Sequence, residues 1–165
     1  MDDQHVQRVK LDKIDRRILR DLQAEGRITN VELAKRAGIS APPCLRRVRA
    51  LETDGYVLGY HAEVDSAKLG FKEMFFALVG LDSQNQAVLT AFEQSVRDWD
   101  EVRECHMIRG AGDFLIKVVA RDKEHRDNLT MRLTEAPHVV TVSTLETIRT
   151  SKDLPGVPID IHSDI

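Results

Sequence analysis

The chain has 165 residues, 42% hydrophobic and 31% charged, a balance that suits one globular domain or two small ones. Aromatic residues make up only 5%, too few for a stacking surface for single-stranded nucleic acid or RNA, and no apolar run approaches the roughly 20 residues of a membrane span. The net charge of -3 is uneven: residues 1–63 carry 12 Lys+Arg against 10 Asp+Glu, and residues 64–165 carry 12 against 17, so a mildly basic front precedes an acidic back.

The opening Met1-Asp2-Asp3-Gln4-His5 has no apolar core and reads as no signal peptide. Leu11, Ile14, Ile18, Leu19 and Leu22 then line one face of a helix that Gly26 ends. Thr29-Asn30-Val31-Glu32 forms a capping box for a second helix, with Thr29 accepting the Glu32 amide and the Glu32 side chain reaching back. That helix carries Leu33, Ala34 and Ala37 and stops at Gly38. Ser40 stands at the next N-cap, and Pro42 and Pro43 fit only a first turn. The third helix is expected to bury Cys44, Leu45, Val48 and Leu51 and to run to Gly55. Arg46 then points away from the apolar arc, with Arg47 and Arg49 on its flanks and no acid between Ser40 and Leu51.

A capped helix, a glycine turn and a second capped helix is the helix-turn-helix pattern, and arginine forks on its last helix suit guanine edges or phosphates. The open amides at that helix start also suit a phosphate. The plainer alternative is that Arg46, Arg47 and Arg49 merely solvate a helix. Gly55-Tyr56-Val57-Leu58-Gly59-Tyr60 alternates as a strand pair, the wing.

After a linker at 63–72 containing Gly70, the pattern changes. Met74–Leu81 is an apolar strand, and Val88, Phe92, Val96 and Trp99 keep helical spacing. Val102–Ile108 alternates, Gly110-Ala111-Gly112 turns, and Phe114–Ala120 is a second apolar strand. Asp122 caps a helix with Leu129 and Leu133 that Pro137 ends, and Val139–Ile148 is the last strand. The fold class is α+β: a winged helix-turn-helix at 1–62, then a ferredoxin-like β-α-β-β-α-β domain at 73–150 and an irregular tail at 151–165. A sheet covered by helices on one face leaves the other for a second subunit.

Gly38-Ile39-Ser40-Ala41-Pro42-Pro43-Cys44-Leu45-Arg46-Arg47-Val48-Arg49-Ala50-Leu51-Glu52 closely resembles the recognition helix of the Lrp/AsnC family of transcriptional regulators. Leu11-Asp12-Lys13-Ile14-Asp15 is similar to that family's first helix, and Gly110-Ala111-Gly112-Asp113-Phe114-Leu115-Ile116 to the loop of its effector domain. Ser143-Thr144 and Leu154-Pro155 are similar to its last strand and tail. The resemblance implies sequence-specific binding to double-stranded DNA and a homodimer that assembles to tetramers or octamers. It also implies a small effector, an amino acid, held between dimers. The DNA-binding residues it implies are Thr29, Ser40, Pro42, Arg46, Arg47 and Arg49. Family members often carry Thr where Pro42 stands, so a hydroxyl contact is lost here. The effector residues it implies are Gly110, Ala111, Gly112, Asp113, Phe114 and Thr144.

Glycines 110 and 112 would let a ligand approach backbone amides, and Asp113 would accept from an ammonium, with Phe114, Met107 and Ile108 as apolar neighbours. The alternative is an ordinary hairpin turn in which Asp113 caps a backbone group. Arg109 beside this loop would favour an acidic or extended ligand, or pair with a carboxylate across an interface. An enzyme is not expected: Cys105 and His106 are adjacent strand residues that point to opposite faces. The six histidines offer no i, i+4 metal pair, and two cysteines, Cys44 and Cys105, make neither a disulfide framework nor a closed zinc site. A cytoplasmic regulator with free thiols, no metal and no cofactor is the reading, and an oligomeric ligand-binding module without DNA binding is the alternative.

Overall fold

The computed structural model describes residues 11–162, so the amino-terminal pentapeptide lies outside the described residues. The chain forms two compact units, 11–63 together with 152–162, and 64–151.

The first unit contains three helices, α1 (Lys13–Ala24), α2 (Asn30–Ala37) and α3 (Ala41–Thr53). Helix α1 starts at Asp12, whose carboxylate accepts from the amides of Ile14 and Asp15, both at 2.8 Å, while Asp15 accepts from the Asp12 amide at 3.3 Å. This satisfies three donors that a helix start otherwise leaves open. Thr29 caps α2 by accepting the Glu32 amide at 3.2 Å. The expected return bond is absent, because Glu32 instead receives Arg36 Nε one turn further on at 3.1 Å. Gly38 ends α2 at φ 77°, in the left-handed region that glycine adopts without strain.

Ile18, Leu33, Ala34, Ala37, Cys44 and Leu51 form the core of this unit. The sequence expectation for α3 is corrected at one place: Leu45 is 39% exposed, and the buried arc narrows to Cys44 and Leu51 with Val48 partly covered. The expected wing strands are also absent at 55–60, which form no strand ladder. The Tyr56 and Val57 amides turn back onto the Leu51 carbonyl at 2.9 and 3.2 Å, closing α3 rather than starting a hairpin. The Tyr60 hydroxyl donates to Glu52 at 2.9 Å, and burial with that carboxylate pushes its phenol up to about 12. The tail at 151–162 has no helix or strand, as expected, yet it packs on α1: Gln23 Nε2 donates to the Val157 carbonyl at 2.8 Å and Gln23 Oε1 accepts the Val157 amide at 3.2 Å.

The second unit runs β1 (Glu73–Leu81), α4 (Gln86–Arg97), β2 (Val102–Met107), β3 (Phe114–Ala120), α5 (Lys123–Thr134) and β4 (Val139–Glu146). Asn85 and Asp122 cap the two helices, each accepting the amide three residues on. The sheet order is β2-β3-β1-β4 with every neighbouring pair antiparallel, the ferredoxin-like arrangement expected from the element order. One face of the central strands, Phe75, Ala77 and Val79 with Phe114, Ile116 and Val118, is buried against α4 and α5 through Phe92, Val96, Leu129 and Leu133. Phe92 and Phe114 meet tilted, with ring centroids 4.8 Å apart. Outside that core, the Arg132 guanidinium lies 3.7 Å from the centre of the Trp99 ring. The opposite face presents Met74, Phe76, Leu78, Leu115 and Val119, all half-buried, and the exposed Leu145.

Candidate DNA interface and effector site

Helix α3 advances about 100° per residue, so Pro42, Leu45, Arg46 and Arg49, at i, i+3, i+4 and i+7, share one face. Pro42, Leu45, Arg46 and Arg49 are all exposed. Among the described residues neither Arg46 nor Arg49 has a carboxylate partner, so two guanidinium groups stand open to solvent, and the acid of this helix, Glu52, receives the Tyr60 hydroxyl. Ser40 occupies the N-cap position but makes no side-chain cap bond, which leaves its hydroxyl facing outward with them. The open amides expected at this helix start are fewer than expected. Pro42 and Pro43 carry no N–H, so of the first positions only Ser40 and Ala41 keep a donor. Thr29 serves as the α2 cap; its oxygen is committed to Glu32.

Arg47 is the clear departure from the sequence expectation. Its Nη1 lies 2.8 Å from Asp12 and 2.7 Å from Asp15, so it points at the start of α1 and away from the Arg46–Arg49 face. It locks the rotation of α3 about its own axis. Burial pushes the Asp12 carboxyl up, but the Asp15 and Ile14 amides and the Arg47 guanidinium together hold it below the usual carboxylate range. The sequence signal that could have found this pair is the Asp12-x-x-Asp15 spacing ahead of an apolar helix, which marks a start with two carboxylates at one end.

In the second unit, a hollow of about 430 Å³ opens where β2 turns into β3, lined by Gln84, Leu89, Met107, Ile108, Arg109, Gly110, Gly112 and Asp113. Asp113 is only 8% exposed. Its Oδ2 accepts the Leu81 amide at 2.7 Å and its Oδ1 accepts Gln84 Nε2 at 2.9 Å, so it ties the loop to the end of β1 and to the segment before α4. Of the two readings of Asp113, capping a backbone group is the one the geometry contains. Gly112 lacks a Cβ because of that same strand: a Cβ there would meet the Val79 carbonyl at 3.1 Å. Gly110 sits at φ 129°, a conformation that side chains rarely adopt. The amides of Gly110, Ala111 and Gly112 donate to no backbone carbonyl among the described residues, and Arg109 stands exposed beside them. Backbone amides and a guanidinium are donors that suit an anion.

Two expected effector residues are not brought to this hollow. The Phe114 ring is fully buried in the sheet core, and Thr144 pairs with Ala77 on β4, two strands across the sheet from β3. Gln84, which the sequence reading missed, supplies a polar wall. A second hollow, of about 520 Å³, lies in the first unit between α1, residues 56–60 and the tail, but its walls are mainly apolar and its amide Gln23 is committed to Val157. No group of three or more His, Cys, Asp or Glu side chains among the described residues could hold a metal, and no helix there is long and apolar enough to cross a membrane.

Residues 11–57 match the family description "Winged helix-turn-helix DNA-binding", and residues 74–157 match "Lrp/AsnC ligand binding domain". The chain is 49% identical over 155 residues to a leucine-responsive regulatory protein of Rhizobium meliloti, covering 93% of this chain and 99% of that one. Its structure is similar to an AsnC family transcriptional regulator from Agrobacterium tumefaciens (TM-score 0.86, 29% identity, 93% of this chain and 100% of the other). It is equally similar to a transcriptional regulator from Neisseria meningitidis in complex with L-Met (TM-score 0.86, 30% identity, 91% and 97% covered).

Asp12→Asn keeps an N-cap acceptor and removes the charge that Arg47 faces. The variant should melt below the native chain at pH 7. Because the folded carboxyl titrates below its unfolded value of about 4, the native advantage is complete above that value and disappears as pH falls through the lower folded one. Thermal melts across pH 2.5–7 (roughly the carboxylate range) check this, and a constant gap at all pH values contradicts it. Asp113→Ala should cost about 1–3 kcal/mol by leaving the buried Leu81 amide without its acceptor. Denaturant unfolding of the two proteins measures that loss.

Proposed function

The chain belongs to the Lrp/AsnC family of transcriptional regulators, which pair a winged helix-turn-helix DNA-binding unit with a ligand-binding unit, and on that premise we propose how each unit does its work. Helix α3 lies in the major groove of double-stranded DNA with its Pro42–Arg49 face inward. The observation that carries this is the pair of exposed, acid-free guanidinium groups of Arg46 and Arg49 on one face. Arg46 and Arg49 read guanine or grip phosphate, the Ser40 hydroxyl and the Thr29 turn meet the sugar–phosphate backbone, and Arg47 holds the helix in position. The chain acts as a binding protein and not as an enzyme: Cys105, the exposed thiol, is pushed up by burial and by nearby Glu93, which is the wrong direction for a nucleophile.

The hollow beside Gly110 takes the effector, an amino acid whose carboxylate rests on the amides of residues 110–112 next to Arg109. Asp113 has lone pairs beyond the two already engaged, and one of these accepts from the ammonium. Leu89, Met107 and Ile108 meet an apolar side chain. That a relative of 30% identity was solved with L-Met supports the ligand class.

The open sheet face supports a homodimer. Met74, Phe76, Leu78, Leu115, Val119 and Leu145 make this face largely apolar around Lys117, which donates to Glu104, and a second copy of the chain would cover it; dimers then assemble to tetramers or octamers with the effector loop at the contact between them. A dimer also delivers two α3 helices to a two-fold site, which a single short helix needs for useful specificity. The protein works in the cytoplasm.

Full-length protein should bind a duplex selected from a randomised pool, and Arg46→Ala and Arg49→Ala should each lose about 1–3 kcal/mol of that binding by fluorescence anisotropy. Unchanged affinity in both variants contradicts the role of α3. A panel of L-amino acids should raise the melting temperature of the native chain, and Arg109→Ala should flatten the rise. An unaltered rise removes Arg109 from the site. Leu78→Asp should convert the sedimenting species to a monomer, and an unchanged mass would place the subunit contact elsewhere.

A further inference from the structure

The exposed face of α3 contains one large apolar side chain, Leu45, which lies one turn before Arg49 at the edge of the arc that Arg46 and Arg49 occupy. We propose that Leu45 is a base-reading residue that packs on the 5-methyl group of a thymine, so that the helix reads an A·T pair through apolar contact beside the G·C pairs read by its arginines. This rests on the reading of α3 as the groove-binding helix and adds what that reading lacks.

In the major groove an adenine is read by Asn or Gln, and a thymine by an apolar group against its methyl. From Ala41 to Thr53 the helix contains no Asn or Gln. Its polar residues near the exposed face are accounted for: Thr53 donates its hydroxyl to the Arg49 carbonyl at 2.8 Å, Glu52 receives the Tyr60 hydroxyl at 2.9 Å, and Arg47 is held by Asp12 and Asp15. What remains facing outward is Arg46, Arg49, Pro42 at the first turn, the short Ala50 and Leu45. An arginine fork fits guanine, so discrimination of an A·T pair falls to an apolar group, and Leu45 is the longest of these and lies one turn before Arg49. The charged pair anchors the helix to the duplex, and the leucine beside it then meets the methyl surface with its water displaced. Core packing does not explain Leu45: Cys44, Val48 and Leu51 fill the interior arc, and Leu45 lies at its edge with more than a third of its surface open.

The test uses the full-length protein and a duplex selected by it from a randomised pool. Each thymine is replaced in turn by deoxyuridine, which removes only the 5-methyl group. Native protein should lose about fourfold in affinity at one position per half-site, the fold-change that burying one methyl group supplies. Leu45→Ala should bind the thymine duplex about that much more weakly and should show no further loss at the same position. Thermal melts confirm that this variant folds, and Leu45→Met, which keeps an apolar chain of similar length, should retain the methyl sensitivity. If native protein is indifferent to every substitution, or if Leu45→Ala remains as sensitive as the native chain, the proposal is overturned. Arg46→Ala on the same duplex separates the two levels: loss of binding there with no methyl effect removes Leu45 alone, whereas unchanged binding removes the groove-binding role of α3 itself.

Discussion

The orientation of α3 depends on a single ionic junction. The Arg47 guanidinium reaches both carboxylates at the start of α1, and a helix held at that point can present only one face to solvent. With Cys44 and Leu51 pinned in the core on the far side, Arg46, Arg49 and Leu45 have nowhere to go but outward. Because the junction is partly exposed, its worth in stability is modest. Its value is directional, since it turns Arg47 toward the start of α1 while Arg46 and Arg49 stay exposed. It also gathers two negative charges of the DNA-binding unit at the start of α1, where both face the Arg47 guanidinium.

The second unit follows the same logic with different chemistry. Asp113 resembles a ligand-binding carboxylate in sequence, yet its oxygens stitch together the end of β1, the turn into β3 and the approach to α4. The loop is thereby tied to the end of β1 and to the segment before α4, and the amides of residues 110–112 donate to no backbone carbonyl among the described residues. Gly112 contributes by letting the loop lie against Val79, and Gly110 by supplying a backbone conformation with positive φ.

Most of the architecture was legible along the chain. Thr29, Asp122 and the glycine at 38 mark helix ends through local hydrogen bonds and backbone preference, and both signals reside within a few residues. The strands β1 and β3 are legible because burial on one face imposes alternation. What was not legible is non-local. Arg47 and its partners are 35 and 32 residues apart, and Gln84 and Asp113 are 29 apart, so no window of sequence contains either pair. Leu45 was misassigned because hydrophobic spacing gives the direction of an apolar arc but not its width, and the width is set by how closely α1 and α2 approach. The strand pair expected at 55–60 is not formed for a similar reason: alternation there describes a segment suited to a strand, while a ladder needs a partner that spacing cannot supply. Phe114 belongs to the loop motif and Thr144 to the last strand's resemblance; side-chain alternation sends the first into the core while the sheet order sets the second two strands from β3.

The polypeptide leaves the DNA-binding unit after residue 63 and rejoins it at 152, where the reciprocal pair between Gln23 and Val157 fastens it to α1. A fragment cut at the first crossing would therefore be missing part of its own wall. The apolar side chains of Leu19 and Leu22 would lose Val157, Pro158 and Ile159 as neighbours, and such a piece would be stickier than the intact chain. Dissection of this protein into separate halves should keep the last dozen residues with the front, supplied as a peptide or grafted by a short linker.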